Sequence, residues 1–322
     1  MIAGDYSGEL VQRVNELYHD LVSERYHQEH PEIFDYERQR WERAGERFFR
    51  SAKPLKVLDL GSGTGFVPLA TAVFLKAEDV FICSDISGRV LDQARKNIQA
   101  CEFACQFKYV KLEPKIPFHL PFERGYVEII ALNSVLHHVK DTGTFLSEIG
   151  RILKPDGLLL IGHEPNRYFF SNLFLRLVSR FTNPRMAIDE LVIKYPALNS
   201  LKKFARSLFA RKRKAAASHE KMTAQINEKL LEEKIIDRKL LPEEIKEITD
   251  IRAREGFKPD RLLAGFEILH LETYNYLGSQ SGGRGGMLAR KYESLLGKAF
   301  PRSGATFFVV LKKGRNIHQT KA

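Results

Sequence analysis

Cysteine is scarce in this chain: Cys83, Cys101 and Cys105 are the only three in 322 residues. A small, odd count argues against a disulfide framework. Cys101 and Cys105 lie one helical turn apart, but no second Cys/His pair stands nearby to complete a tetrahedral set, so no metal site is expected. Long hydrophobic runs are missing too; none approaches the roughly 20 residues that cross a bilayer. The N-terminal Met1–Asp5 has neither the basic patch nor the apolar stretch of a secretory signal. Together these absences predict a reduced, cytoplasmic protein.

Acids are missing from one region in particular. Between Arg167 and Lys214 there are 12 Lys/Arg against only Asp189 and Glu190, which accounts for almost the whole net charge of +11. The basicity belongs to that segment and needs a local explanation.

What is present is an ordinary globular balance, 43% hydrophobic and 28% charged, with a clear rhythm. Residues 1–50 read as a helical cap, with Leu10, Val14, Leu17, Tyr18 and Leu21 at helical spacing. Residues 51–165 alternate short apolar runs with amphipathic stretches, the pattern of βαβ units and a mainly parallel sheet. The runs fall at Lys56–Leu60, Val80–Ser84, Phe107–Val110, Val127–Leu132 and Leu158–Gly162. A helix is expected over Thr142–Leu153, ended by the turn Lys154-Pro155-Asp156-Gly157. The rhythm stops over residues 166–255, a basic helical insertion, and resumes over 256–322 with strands at Phe266–Leu271 and Ala305–Leu311. The glycine-rich stretch Ser281–Gly286 reads as a connector between them.

One loop carries chemistry. Gly61-Ser62-Gly63-Thr64-Gly65 follows the first strand and opens a helix near Phe66, where backbone N–H groups can approach a ligand. Asp59 lies inside the strand before it, and Asp85 ends the next strand, where an acid can accept from both hydroxyls of a ribose. Phe66 stands at the last position of the Gly-x-Gly-x-x-Gly dinucleotide fingerprint.

Val57–Gly65, Leu132–Val139 and Arg151–Gly157 together resemble three ordered motifs of the class I S-adenosylmethionine (SAM)-dependent methyltransferases, especially the broad ubiquinone/menaquinone methyltransferase group. The resemblance covers roughly residues 40–165 and returns at 256–312. It implies a doubly wound, Rossmann-like α/β fold with a seven-stranded sheet of order 3-2-1-4-5-7-6, strand 7 antiparallel. It implies SAM as cofactor: Asp59 ordering the loop and facing the methionine amine, Gly61, Ser62, Gly63 and Gly65 along the methionyl part and ribose, Asp85 on the ribose hydroxyls, Ile86 against adenine, and Asn133 and Ser134 at the methionyl end. The family's Gly-Asp after the third strand is absent, and Glu113 or a backbone contact is expected in its place.

Beyond the carboxyl ends of strands four and five stand His137, His138, His163 and Glu164. His163 and Glu164 are the expected catalytic pair; the two adjacent histidines are common in the family without being catalytic. Tyr18 and Tyr26 are candidates to close over the cofactor or to pack on the sheet edge. No motif names an acceptor. The Asn/Asp-Pro-Pro-Tyr signature and a Pro-Cys nucleophile are both absent. The expectation is methyl transfer to oxygen or carbon of a small-molecule or lipid-like acceptor, with RNA methylation or a non-catalytic SAM-fold interaction protein as alternatives.

The insertion repeats apolar residues at helical spacing, Phe169, Phe170, Leu173, Phe174, Leu177, Val178 and Phe181, then Leu201, Phe204, Ala205, Leu208 and Phe209, interspersed with Arg and Lys. Three readings stand: a helical lid, a module that docks peripherally on anionic membrane through residues 167–214, or a less favoured nucleic-acid surface.

Overall fold

The computed structural model describes residues 6–23, 37–113, 119–182, 213–277 and 287–315. Seven strands form one sheet: β1 (Lys56–Leu60), β2 (Val80–Asp85), β3 (Gln106–Lys111), β4 (Val127–Asn133), β5 (Leu153–Pro165), β6 (Phe266–Tyr274) and β7 (Thr306–Lys313). Their order is β3-β2-β1-β4-β5-β7-β6. The first five are parallel, and β7 runs antiparallel to both β5 and β6. This is the sheet that the resemblance implies.

The central strands read as continuous apolar runs because both faces are covered. Leu58, Leu60, Ile82, Leu132, Ile161, Phe307 and Val309 fill the core on one face, with Phe145 and Ile149 from α5 (Thr142–Ile152). Val57, Phe81, Ala131, Leu160, Phe308 and Val310 fill the other, with Trp41 from α2 (Arg38–Phe48) and Phe66 from α3 (Phe66–Thr71). Helix α4 (Gly88–Gln99) is capped by Ser87, whose hydroxyl accepts from Val90 N–H.

Three boundaries differ from the sequence reading by three residues or more. The stretch Lys154–Gly157, expected to be a turn, lies within β5, with Asp156 at φ +62° and a register shift opposite Val127 and Ile129. Strand β5 also continues through His163 and Glu164 to Pro165, because β7 stays paired as far as Thr306. β6 runs three residues beyond Leu271, to Tyr274, for the same reason. The Ser281–Gly286 connector lies outside the described residues.

The insertion leaves and returns at one point. Phe257 N–H donates to Pro165 C=O at 2.8 Å and Arg167 N–H to Phe257 C=O at 2.9 Å. Within it lie α6 (Arg167–Ser171), α7 (Leu173–Thr182), α8 (Arg213–Glu232) and α9 (Pro242–Thr249). The expected helix around Leu201–Phe209 lies outside the described residues. Helices α8 and α9 do not stand apart from the N-terminal cap. Met222, Ile226, Leu230, Ile245 and Ile248 pack with Leu10, Val11, Val14 and Leu17 of α1 (Gly8–Val22) in a third core. Helix α10 (Met287–Ala299) precedes β7.

Candidate active site

Helix α1 roofs a cleft at the carboxyl ends of β1, β2 and β4. Asp20 accepts from the Ser87 hydroxyl at 2.5 Å, and Glu16 pairs with Lys111 at 3.0 Å, so the helix spans the ends of β2 and β3. Beneath it lies a cavity of about 640 Å³. Leu60, Gly61, Gly63, Asp85, Ile86 and Leu112 form its floor; Asn133, Ser134, Val135 and His138 form a wall; Gln12, Asn15 and His19 form the roof.

The glycine loop is shaped by its neighbours. Gly61 and Ser62 donate their amides to Ser84 C=O at 2.8 and 2.9 Å, tying the loop to β2. Gly61 sits at φ +73°, and a Cβ there would lie 2.6 Å from Val135 Cγ2. Gly65, at φ +94°, lies against Ala94 of α4. Gly63, at φ +53°, has nothing within 4 Å of where a Cβ would be: it faces open cavity. Its amide donates to Asp85 Oδ2 at 2.9 Å, while Asp85 Oδ1 accepts from Ser87 N–H at 2.9 Å. Burial pushes the Asp85 carboxyl up to about 6, against these amide hydrogen bonds.

Asp59 is fully buried, and neither of its carboxylate oxygens has a hydrogen-bond partner. Burial raises its pKa to about 8, and the charge of Asp85 adds to the rise. An unpartnered buried carboxyl is costly unless something compensates it. Two roof acceptors are also unpartnered, Gln12 Oε1 and Asn15 Oδ1. The orientation of the Asn15 amide is fixed, because its Nδ2 donates to Val11 C=O at 2.8 Å.

Asn133 is held by Trp41, whose Nε1–H donates to its Oδ1 at 2.9 Å. Ser134 has φ +59°, and its amide donates to Gly162 C=O at 3.0 Å. Glu164 is fully buried and is not among the side chains lining the cleft. Its oxygens accept from the amides of Val135 at 2.5 Å, Leu136 at 2.7 Å and His137 at 3.2 Å, and pair with His137 Nδ1 at 2.9 Å. It organises the 3-10 turn Leu136–His138 after β4. Burial alone would lower the His137 pKa, but the Glu164 charge and hydrogen bond leave it raised. Burial and the neighbouring His137 pull His138 down to about 4.

His163, at φ +56°, places Nδ1 3.2 Å from the buried Glu37, which also accepts from Tyr274 OH at 2.6 Å. It too is absent from the cleft lining. The expected His163-Glu164 pair is therefore split between two networks. Glu113 is exposed and does not line the cavity; the adjacent Leu112 does. Tyr18 packs at the margin of the core shared by α1, α8 and α9, and Tyr26 lies outside the described residues. Cys83 and Cys105 are buried and Cys101 is exposed. The described residues contain one cluster with metal-ligand reach, His137, His138 and Asp250, where Asp250 comes from the insertion.

Sequence reasoning missed the roof and the latch that holds it. Arg252 N–H donates to His137 C=O at 3.0 Å, and its guanidinium donates to Lys140 C=O at 3.1 and 2.6 Å. His138 Nδ1 pairs with Thr249 C=O. The available signal was Gln12 and Asn15, two amides interrupting the apolar face of α1.

Residues 58–161 match the family described as the methyltransferase domain. Among curated proteins, the chain is 30% identical over 106 residues to the ubiquinone/menaquinone biosynthesis C-methyltransferase of Vibrio vulnificus, covering 33% of this chain and 40% of that one. It is 31% identical over 115 residues to the demethylmenaquinone methyltransferase of Lactobacillus johnsonii, covering 35% and 46%. A highly reducing polyketide synthase of Alternaria alternata is 33% identical over 112 residues, 33% of this chain and 4% of that one. The match thus spans less than half the length of these relatives. A solved structure described as a putative sarcosine dimethylglycine methyltransferase from Galdieria sulphuraria is 12% identical, covers 86% of this chain and 85% of that one, and superposes with a TM-score of 0.44. Residues 58–161 thus match the methyltransferase domain, and the strand order around them is the one that the resemblance to class I SAM-dependent methyltransferases implies.

Proposed function

We propose that the protein transfers a methyl group from SAM to oxygen or carbon of a small-molecule or lipid-like acceptor. The observation that carries this reading is a cavity lined by Gly61, Gly63, Asp85, Asn133 and Ser134, with the fully buried Asp59 carboxyl in the strand just before that glycine loop. A buried acid with no donor calls for a cation, and the methionine moiety of SAM has an ammonium. Asp85 would accept from the ribose hydroxyls, Ile86 and Leu112 would flank the adenine, and Asn133 and Ser134 would border the methionyl end. Asn15 Oδ1 and Gln12 Oε1 supply two acceptors for the adenine amino group, in place of the acid absent after β3.

Bound there, SAM supplies a methyl group already activated by its sulfonium. The chain's part is to align the acceptor and exclude water, which can supply up to about 7–11 kcal/mol of the acceleration. A hydroxyl acceptor also needs a base. His137, whose Nδ1 is held by Glu164, is not among the side chains lining the cleft. We assign that role to His138, which is, and whose Nδ1 is held by Thr249 C=O so that Nε2 is the proton-accepting atom. Glu164 is then a positioning residue, and His163 belongs to the Glu37 network.

Calorimetry with S-adenosylhomocysteine, followed by transfer of labelled methyl from SAM into small-molecule, lipid and RNA extracts, tests the reading. Expected are cofactor uptake abolished by Asp85→Ala and label in a small-molecule or lipid fraction. No binding, or label confined to RNA, refutes it.

A further inference from the structure

Helices α7 and α10 meet through a small apolar cluster. Phe169, Leu175 and Tyr276 form a small core with Phe170, Leu296 and Phe300, and the rings of Phe174 and Phe300 lie 5.6 Å apart. That core leaves a second apolar row uncovered. Leu173 is 67% exposed, Phe174 53%, Leu177 42%, Tyr292 58% and Leu295 51%. Isolated exposed apolar residues need no explanation, but five on two adjacent helices do.

Basic residues outnumber acids on the helices that carry this row. No acid occurs between Glu164 and Asp189. The only acid of α10, Glu293, is already engaged, its carboxylate accepting from the amides of Tyr276 and Leu277 at 2.9 Å each. Lys291 and Lys298 are exposed and fall at helical spacing with Tyr292 and Leu295, and Arg167 is exposed at the start of α6. Aliphatic residues with a Tyr, bordered by Lys and Arg, match the boundary between acyl chains and headgroups: the apolar tips enter, and the cations meet lipid phosphates. A nucleic-acid surface would not need Leu173, Leu177 and Leu295 exposed. No helix among the described residues is long and apolar enough to cross a membrane, so the contact is peripheral.

We propose that the outer face of α7 and α10 docks on an anionic lipid bilayer. The inference stands independently of the methyl-transfer reading. It gains a consequence from topology: the chain enters α6 and α7 from the carboxyl end of β5, the end of the parallel sheet where the cleft lies. Docking therefore brings that end of the sheet toward the membrane.

Flotation of the full chain with vesicles tests this, using phosphatidylcholine alone and phosphatidylcholine mixed with phosphatidylserine. The wild-type protein should float with the anionic vesicles and much less with the neutral ones. Lys291→Glu/Lys298→Glu should weaken anionic binding by at least about 25-fold, at roughly fivefold per lost cation. Leu177→Gln/Leu295→Gln should weaken it at low and high salt alike, because the lost term is apolar. All four positions lie outside the cleft lining, so S-adenosylhomocysteine affinity and melting temperature should hold in both variants. No binding to anionic vesicles overturns the proposal. So does wild-type binding that neither pair of substitutions changes, which would put the contact elsewhere, and so does burial of this face in a concentration-dependent dimer seen by sedimentation equilibrium.

Discussion

Asp59 makes the affinity for the cofactor's amino-acid end a steep function of pH. The Asp59 pKa is about 8 because burial outweighs the lowering effect of the Ser62 hydroxyl, and the Asp85 charge adds to the rise. An ion pair with an ammonium requires the carboxylate, whose share is roughly 1% at pH 6, 9% at pH 7 and 50% at pH 8. If the ligand amine stays protonated over this range, the dissociation constant falls roughly 50-fold between pH 6 and 8; an amine pKa of 7.7–8.0 cuts that to roughly 17–25-fold. Isothermal calorimetry with S-adenosylhomocysteine reads this directly. 5′-Methylthioadenosine, which keeps the adenosine but has no amino acid, isolates any contribution from Asp85 near pH 6 and should show little of the dependence. Asp59→Asn should abolish the steep rise for S-adenosylhomocysteine and leave methylthioadenosine unaffected. Stability has the opposite sign. A folded-state pKa above the unfolded value means that the folded protein binds more protons, so stability is lost as pH rises through about 8, and ligand restores it. A flat affinity profile from pH 6 to 8, or a steep one that survives Asp59→Asn, would refute the reasoning.

Other substitutions separate fold from binding. Gly61→Ala forces a Cβ to 2.6 Å from Val135 at a positive φ, and should lower the melting temperature and abolish binding together. Gly63→Ala meets nothing within 4 Å; its strain of about 1 kcal/mol should spare the fold while its methyl, projecting into the cavity, weakens nucleotide binding when both are measured. Glu164→Ala leaves three amides without their acceptor, at about 1–3 kcal/mol for each that stays dry, and should show a large loss in denaturant titration together with a lower His137 pKa by NMR. Asn15→Leu should weaken binding of S-adenosylhomocysteine about tenfold yet change little for S-inosylhomocysteine, which has no 6-amino donor; equal losses for both would remove Asn15 from adenine recognition.

Much of the fold was legible because strand-forming runs and glycine punctuation are local. Val57-Leu58-Asp59-Leu60 followed by three glycines announces a buried parallel strand and a loop with positive φ, whatever the rest of the chain does. Asp59 and Asp85 were legible because each is fixed by its position within or at the end of a strand. The strand order came from resemblance, since pairing partners far apart in sequence leave no local mark. The Lys154–Gly157 stretch was misread because Pro and Gly signal a turn equally well when they form a bulge inside a strand.

His163 and Glu164 show the limit most clearly. Neighbours in sequence at the end of a strand, they read as one catalytic pair. Yet His163 sits at φ +56° where the β5–β7 register shifts, and this irregularity sends one side chain toward Glu37 and the other toward His137. No local pattern reveals which buried partner waits on each side. The same holds for the roof. Composition and spacing determined a nucleotide-type loop, two acids and a basic insertion. Only the packing of α1 on α8 and α9 decided that Gln12 and Asn15 overlie that loop, because a helix's apolar stripe says that it must be covered and not by what.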